Sequence, residues 1–332
     1  MLKTKILHAL RSAEDYVSGQ MLCNQFGVSR TAIWKCINQL KDEGYQVEAV
    51  QNKGYCITEY PDLITDSEIE SLLIGQPGIV KKLVYFEETD STNNEAKRHG
   101  TDSTEDIPDG TLFITECQTG GRGRRGRNWV SPAGSGIWMS LLLRPQIRPD
   151  SASMLTLIAA MAVTEAITKV TGEEDCKIKW PNDIVLNKKK ICGILTEMSA
   201  EMDYIHYVVI GIGINVNTTD FDDAIKDMAS SLYVETGKHV KRSEIVAEFS
   251  KAFAKYYEQF IRTENLAGVI QDYNQMLINV GREVKIITRD EEYTGIAEGI
   301  NENGELLVTR EDGSREIICA GEVSVRGLYG YV

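Results

Sequence analysis

Residues 115–138, TECQTGGRGRRGRNWVSPAGSGIW, decide how the chain is read. Arg122, Arg124, Arg125 and Arg127 fall in one glycine-rich run, within a protein of formal net charge −13. So much local positive charge without neighbouring acids calls for an anionic partner, and backbone amides freed by glycine can join the guanidinium groups in binding it. Gly121, Gly123 and Gly126 also satisfy G-x-G-x-x-G. That spacing marks a dinucleotide site only where it opens a helix, whose N-terminus then receives the pyrophosphate. Here it runs into Trp129-Val130-Ser131-Pro132 and Ala133-Gly134-Ser135-Gly136, loop chemistry leading to a strand, so the dinucleotide reading is excluded. An ordinary arginine cluster is a solvated basic loop. The aromatic, glycine and proline punctuation after this one favours a loop that closes over phosphate.

The rest of the composition narrows the possibilities. With 332 residues, 42% apolar and 26% charged, the chain is long enough for two or three ordinary globular domains. No apolar run approaches a membrane span, and residues 1–16 form an amphipathic helix rather than a signal peptide. The seven cysteines are scattered and never spaced C-x-x-C, which argues against a disulfide framework or zinc site and for a reducing cytoplasm. Four dispersed histidines give no support to a histidine dyad or metal site.

Upstream of the arginine loop, residues 1–60 predict three short helices and a hairpin. The helices cover 2–15, 19–26 (capped by Ser18, ended by Gly27) and 30–43 (capped by Ser29). Strands over 45–50 and 55–58 turn at Asn52-Lys53-Gly54, which completes a winged helix-turn-helix. Ser29, Arg30, Thr31, Trp34, Lys35 and Asn38 on the third helix, with Lys53 at the wing tip, are the candidates to reach a DNA groove. This segment carries seven cations against six acids, so it is about +1 while the remainder is −14. That is a small charge for a DNA binder, whose affinity rests largely on phosphate neutralisation. A protein-binding winged helix therefore stands as the alternative.

Downstream, the pattern is mixed α/β. Strands are expected over 82–87, 111–117, 137–143, 176–180, 184–186, 191–197 and 204–214, and helices over 69–74, 93–99, 151–170, 245–261 and 266–277, with a polar loop over 101–109. From residue 284 short strands with Asn303-Gly304 and Asp312-Gly313 turns predict a small β-barrel of SH3 size. Four polar pieces fall at strand ends: Ser91-Thr92-Asn93, Lys179-Trp180-Pro181-Asn182-Asp183, Lys190 opening an apolar strand, and Gly211 to Asn217 as GIGINVN. The glycines of GIGINVN admit close approach of a ligand or mark a β-bulge. Without a nucleophile–base pair or a G-x-x-x-x-G-K-[ST] loop, cations and amides gathered at strand ends point to phosphoanhydride chemistry run by positioning and charge neutralisation.

In order along the chain, QTGGRGRRGRNW (118–129), KWPND (179–183), KICGIL (190–195) and GIGINVN (211–217) resemble the motif set of the biotin protein ligases, and the winged helix resembles their bifunctional subset. The resemblance implies an α+β protein: a winged-helix DNA-binding domain (1–60), a linker with a short helix (61–80), a central catalytic domain similar to the class II aminoacyl-tRNA synthetase core (81–278), and an SH3-like β-barrel (279–332). It implies that biotin and ATP form biotinyl-5′-AMP and pyrophosphate, and that the acyl group passes to a lysine of a biotin carboxyl carrier domain. Ser91, Thr92, Asn93 and Gln118 would hold the ureido head, Gly121 and Arg122 would line the acyl end, and Gly123 and Arg124 would also contact biotin. Lys190 would neutralise the carboxylate and α-phosphate, and Arg124, Arg125 and Arg127 would steady the phosphates. Trp129, Asn182 and Asn215 would surround the adenylate. Arg122, Lys190 and Asp183 would carry catalysis, Asp183 as a candidate acceptor of the lysine proton. Mg²⁺ is expected with ATP, with no motif for its ligands. A homodimer promoted by the adenylate would present two winged helices to operator DNA. The alternatives are a DNA-binding biotin sensor with a degenerate ligase core, and a lipoate or octanoyl ligase.

Overall fold

The computed structural model describes residues 2–101, 107–288, 291–319, 324–327 and 331–332. The chain divides into two compact units, Met1–Gln76 with Lys241–Ala247, and Pro77–Val240 with Glu248–Val332.

In the first unit, helices α1 Leu2–Arg11, α2 Gly19–Phe26 and α3 Arg30–Asp42 precede the hairpin β1 Gln46–Val50 and β2 Gly54–Glu59, and α4 Asp66–Leu73 follows. The Ser18 hydroxyl accepts from the Met21 amide at 3.1 Å, that of Ser29 from Ala32 at 3.3 Å, and Gly27 closes α2 at φ 65°. The first helix is shorter than expected. It ends at Arg11, and beyond it the Asp15 carboxylate takes the Tyr16 amide at 2.7 Å. Ile6, Leu7 and Leu10 of α1 meet Ile33, Ile37 and Leu40 of α3 in one buried cluster.

Two buried charges hold this unit together. Glu68 on α4, 1% exposed, receives Arg11 at 2.7 Å, the Tyr45 hydroxyl at 2.5 Å and the Ser243 hydroxyl at 3.1 Å. Arg242, 2% exposed, gives its backbone amide and Nε to the Asp62 carboxylate at 2.8 and 2.9 Å, and Nη2 to the Asp62 carbonyl at 3.0 Å. Removing one partner of a buried pair leaves an uncompensated charge, so Asp62→Ala is expected to cost about 3–5 kcal/mol. Chemical denaturation followed by circular dichroism checks this, and an unshifted midpoint refutes it.

The second unit is built on a seven-stranded sheet. Its elements are β3 Lys82–Thr89, α5 Thr92–Thr101, β4 Thr111–Gln118, β5 Gly136–Leu143, α6 Leu155–Thr171, β6 Lys177–Lys179, β7 Asp183–Leu186, β8 Lys189–Ala200 and β9 Ile205–Asn215. The strand order is β3-β4-β5-β9-β8-β7-β6, antiparallel except for β3 against β4. Side chains alternate between faces along each strand, so two helices can cover two faces. Ala96 of α5 packs with Phe113, Leu142, Tyr207 and Val209 on one face. The opposite face meets α6, whose Thr156 hydroxyl donates to Thr196 on β8 at 2.8 Å.

The helix expected over 151–170 begins at Leu155, because Pro149 first opens a 3-10 turn over Pro149–Met154. The combined run Pro149–Thr171 is long and apolar enough to cross a bilayer, contrary to the sequence reading. Some 78% of its most apolar window is buried, so that apolarity serves the core. A short α7 Leu232–Thr236 was not foreseen, α8 is Arg242–Thr263, and α9 is confined to Ile270–Met276.

A second, five-stranded antiparallel sheet follows: β10 Glu283–Ile287, β11 Glu292–Ile300, β12 Leu306–Arg310, β13 Arg315–Ile318 and β14 Ser324–Gly327, in the order β13-β12-β11-β10-β14. β14 went unread in the sequence. Residues 102–106 of the expected polar loop, and 289–290, 320–323 and 328–330 of the expected barrel, lie outside the described residues.

Candidate active site

The topology brings the four polar pieces to one end of the central sheet. Thr89 pairs Gln118 where parallel β3 and β4 finish, Gly136 opening β5 pairs Asn215 closing β9, and Asp183 opening β7 pairs Gly193 near the start of β8. α5 starts at Thr92, beside that end.

The glycines explain themselves through their neighbours. Gly193 on β8 lies opposite Gly213 on β9, and Ser140 on β5 lies opposite Gly211. Register is unbroken at both glycines of β9, so the β-bulge reading is wrong. A Cβ on Gly213 would fall 2.5 Å from Trp129 Nε1, one on Gly193 3.0 Å from the same ring, and one on Gly211 2.1 Å from Asn93 Oδ1. The absent side chains form one slot for an indole and another for an amide. Trp129 sits in the first, edge-on to Trp138 at 6.5 Å, with its buried Nε1 lacking a hydrogen-bond partner among the described residues.

The second slot holds an amide network. Asn93 Nδ2 donates to Glu197 Oε2 at 2.8 Å and to the Leu195 carbonyl at 3.3 Å. The Ser140 hydroxyl lies 2.6 Å from Asn93 Oδ1 and 2.7 Å from Thr92 Oγ1. With one hydrogen it donates to the amide oxygen, which can only accept. Gln118 Oε1 accepts from the Thr92 amide at 2.9 Å, while its Nε2 donates to Ser131 at 2.8 Å. One lone pair on Asn93 Oδ1 and one hydrogen on Gln118 Nε2 are left over by these bonds. Ser91, 2% exposed, adjoins them, its amide on Asp90 at 2.8 Å. Glu197, Ser140 and Ser131 escaped the sequence reading. Strand alternation alone could have put Glu197 on the face of Gly193 and Leu195. Burial works against ionisation of Glu197, but hydrogen bonds from Lys97 and Asn93 outweigh it and hold its pKa below the usual carboxylate value.

Charges gather next to the indole. Lys190 turns inward, its Nζ 2.6 Å from Asp183 Oδ1 and 5.3 Å from the centre of the Trp129 ring. Arg124 donates to Asn182 Oδ1 at 2.8 Å, and burial lowers its pKa against the pull of Asp183. The loop above is a narrow hairpin, with Trp129 N bonded to the Gly121 carbonyl at 3.0 Å and Gly123 N to Arg127 O at 2.7 Å. Arg125 at its tip takes φ 57°, and Arg122, Arg125 and Arg127 are exposed. Asn182 and Asn215 commit their amide nitrogens to the Ile194 and Ser230 carbonyls at 3.0 and 3.1 Å. In KWPND, Trp180 is structural: its indole donates to Gly304 O at 3.0 Å, in the turn ahead of β12. The other Asp183 oxygen accepts from the hydroxyl of Tyr331, a residue the sequence reading passed over.

In the first unit the candidate DNA residues of α3 share its outer side, with Ser29 at its cap and Lys53 in the hairpin turn. Arg30, Thr31, Trp34 and Lys35 are exposed, Trp34 to 57%. Arg30 is held by Gln20 at 2.9 Å, Ser29 serves as the cap, Asn38 is half-buried, and Lys53 stands exposed over Tyr16.

Comparison with known proteins places the chain in a family. Residues 85–215 match the Biotin/lipoate A/B protein ligase family, residues 3–56 an HTH domain and residues 280–326 the Biotin protein ligase C terminal domain. A bifunctional ligase/repressor BirA of Bacillus spizizenii is 38% identical, over 93% of this chain and 94% of that protein. Its Escherichia coli counterpart is 32% identical over 96% of each. Among solved structures, a biotin protein ligase from Aquifex aeolicus in complex with biotin and ATP superposes with TM-score 0.64 at 32% identity, covering 74% of this chain and 99% of that one. By motif, by site and by relatives of matching length, the chain belongs to the biotin protein ligase family, in the branch of the bifunctional ligase/repressors.

Proposed function

We propose that this chain is a biotin–[acetyl-CoA-carboxylase] ligase that joins biotin to ATP as biotinyl-5′-AMP, transfers biotin to a lysine of a biotin carboxyl carrier domain, and represses biotin genes when loaded with the adenylate. The observation that carries the reading is the convergence, at one sheet end, of an amide network, the Lys190–Asp183 pair and the arginine hairpin. A cyclic urea offers an N–H to the remaining Asn93 lone pair and a carbonyl to the remaining Gln118 hydrogen, and Ser91 and Thr92 adjoin both. Groups so buried reject analogues without ring amides. The biotin carboxylate attacks the α-phosphorus and pyrophosphate leaves. Lys190, Arg122 and Arg124 neutralise charge at that centre, with Gly121 and Gly123 giving the backbone room, while Arg125 and Arg127 hold the phosphates. Trp129, Asn182 and Asn215 shape the adenylate pocket.

Mg²⁺ enters with the phosphates of ATP. Among the described residues no three His, Cys, Asp or Glu side chains converge, and Asp183 is engaged by Lys190 and Tyr331. The core resembles that of class II aminoacyl-tRNA synthetases, the last sheet an SH3-like barrel, and the divisions 1–60, 61–80, 81–278 and 279–332 are the working domains in a cytoplasmic protein. A homodimer is supported by β8: no strand among the described residues pairs its β7 side beyond Gly193, and Met198 is 51% exposed there. An open edge invites pairing with a second copy.

Purified protein with ATP, Mg²⁺ and biotin, without carrier, should release one pyrophosphate per chain in a burst and then fall nearly silent. Equal release with lipoate, or none with biotin, overturns the reading. In the same protein, alanine at Arg30 and Lys35 should weaken operator binding and flatten its salt dependence by about one unit of slope per lost phosphate contact. Unchanged operator binding would remove Arg30 and Lys35 from the contact, whereas no operator binding by the unaltered chain would make the winged helix a protein-binding module.

A further inference from the structure

Asp183 has two oxygens, and in this structure each meets a different group. Oδ1 faces Lys190 at 2.6 Å, and Oδ2 accepts from the Tyr331 hydroxyl. The Tyr331 ring lies beneath the Lys179 ammonium, 3.2 Å from Nζ to the ring centre, and Lys179 is itself only 4% exposed. A Cβ on Gly327, at the end of β14, would come within 2.2 Å of the Val332 carbonyl carbon, so the residue after Tyr331 packs against bare backbone. Tyr331 is therefore seated at both ends of its neighbourhood, its hydroxyl on the carboxylate and its successor on Gly327.

We infer that the notch between Lys179 and Asp183 is the entry point for the acceptor lysine, and that Tyr331 fills it in the free chain as an internal competitor. This rests on the reading of Asp183 as proton acceptor. A lysine side chain, like a tyrosine, is an apolar body ending in a hydrogen-bond donor. Lys190 already holds Oδ1, so Oδ2 is the oxygen left for an incoming amine. Lys179, Lys190 and Arg124 around the notch disfavour a charged ammonium and favour the neutral, nucleophilic amine. In the transfer the amine nitrogen attacks the acyl carbon of the mixed anhydride. The C–N bond forms, the C–O bond to phosphate breaks, AMP leaves with the electron pair, and the amine proton passes to Asp183 Oδ2. None of this proceeds while the Tyr331 hydroxyl holds that oxygen, so the competent fraction scales the apparent carrier affinity.

The test uses the full chain with saturating biotin and ATP and a biotin carboxyl carrier domain as acceptor. Tyr331→Phe and Tyr331→Ala are expected to lower the KM for the carrier about tenfold, leaving kcat and the carrier-free pyrophosphate burst unchanged. A chain ending at Gly330 should behave like Tyr331→Ala. Unmoved KM in all three overturns the inference, and so does a fall in kcat, which would make Tyr331 a positioning group for Asp183. Asp183→Asn is run alongside. Full transfer in that variant removes the proton-acceptor role itself, whereas lost transfer there with unmoved KM in the Tyr331 variants overturns the occupancy alone.

Discussion

Lys190→Ala should reduce the biotin-dependent pyrophosphate burst rate by about 10²–10³-fold, the loss typical of removing one preorganised charge-stabilising donor. The side chain is anchored at both ends of its reach. Its backbone amide bonds Met228 O at 2.7 Å, and its ammonium sits 2.6 Å from Asp183 and beside the Trp129 ring. Substrate carboxylate and α-phosphate both carry negative charge, and their approach needs a fixed cation rather than a flexible one. Alanine removes that cation and leaves Asp183 facing the same anions, so raising biotin or ATP should not restore the rate. Rapid-quench measurement at saturating substrates checks this. A rate restored by higher biotin would mean that Lys190 only binds.

Gly211→Ala should act differently, raising the KM for biotin about 10–100-fold while the burst rate at saturating biotin recovers. A methyl group there would stand 2.1 Å from Asn93 Oδ1, and packed interiors do not absorb that overlap without side-chain displacement costing about 1–3 kcal/mol. Asn93 must swing away, which breaks its bonds to Ser140, Glu197 and Leu195 O together. The proposed phosphate side of the site, the hairpin and Lys190, should keep its geometry. Titration of the burst with biotin, alongside a thermal melt to register the packing cost, distinguishes this from general unfolding. Equal loss at all biotin concentrations would refute it.

These two variants mark the line between what local sequence and long-range packing decide. The caps at Ser18 and Ser29, the turn at Asn52 and the left-handed Gly27 follow from a few adjacent residues, because capping and φ preference act over one turn of chain. Strand alternation and the cationic loop were readable for the same reason. Element ends were less so: α1 already stops at Arg11, and Pro149 delays α6 through a 3-10 turn that takes the place of the first helical turn.

The chain alone therefore determined the winged helix, the mixed sheet, the arginine loop and the motif set that names the family. Only the tertiary structure decided what the glycines were for. Gly211 and Gly213 read as bulges or ligand gaps, and Gly193 had no reading, until pairing of β5, β9 and β8 brought Trp129 and Asn93 over them. Likewise, nothing near KWPND in sequence announces that Trp180 anchors the turn before β12, or that Tyr331 holds Asp183. Strand period says which residues share a face of one strand. Register between strands distant in sequence is set by the packing of the whole sheet, and that register chooses which side chains meet.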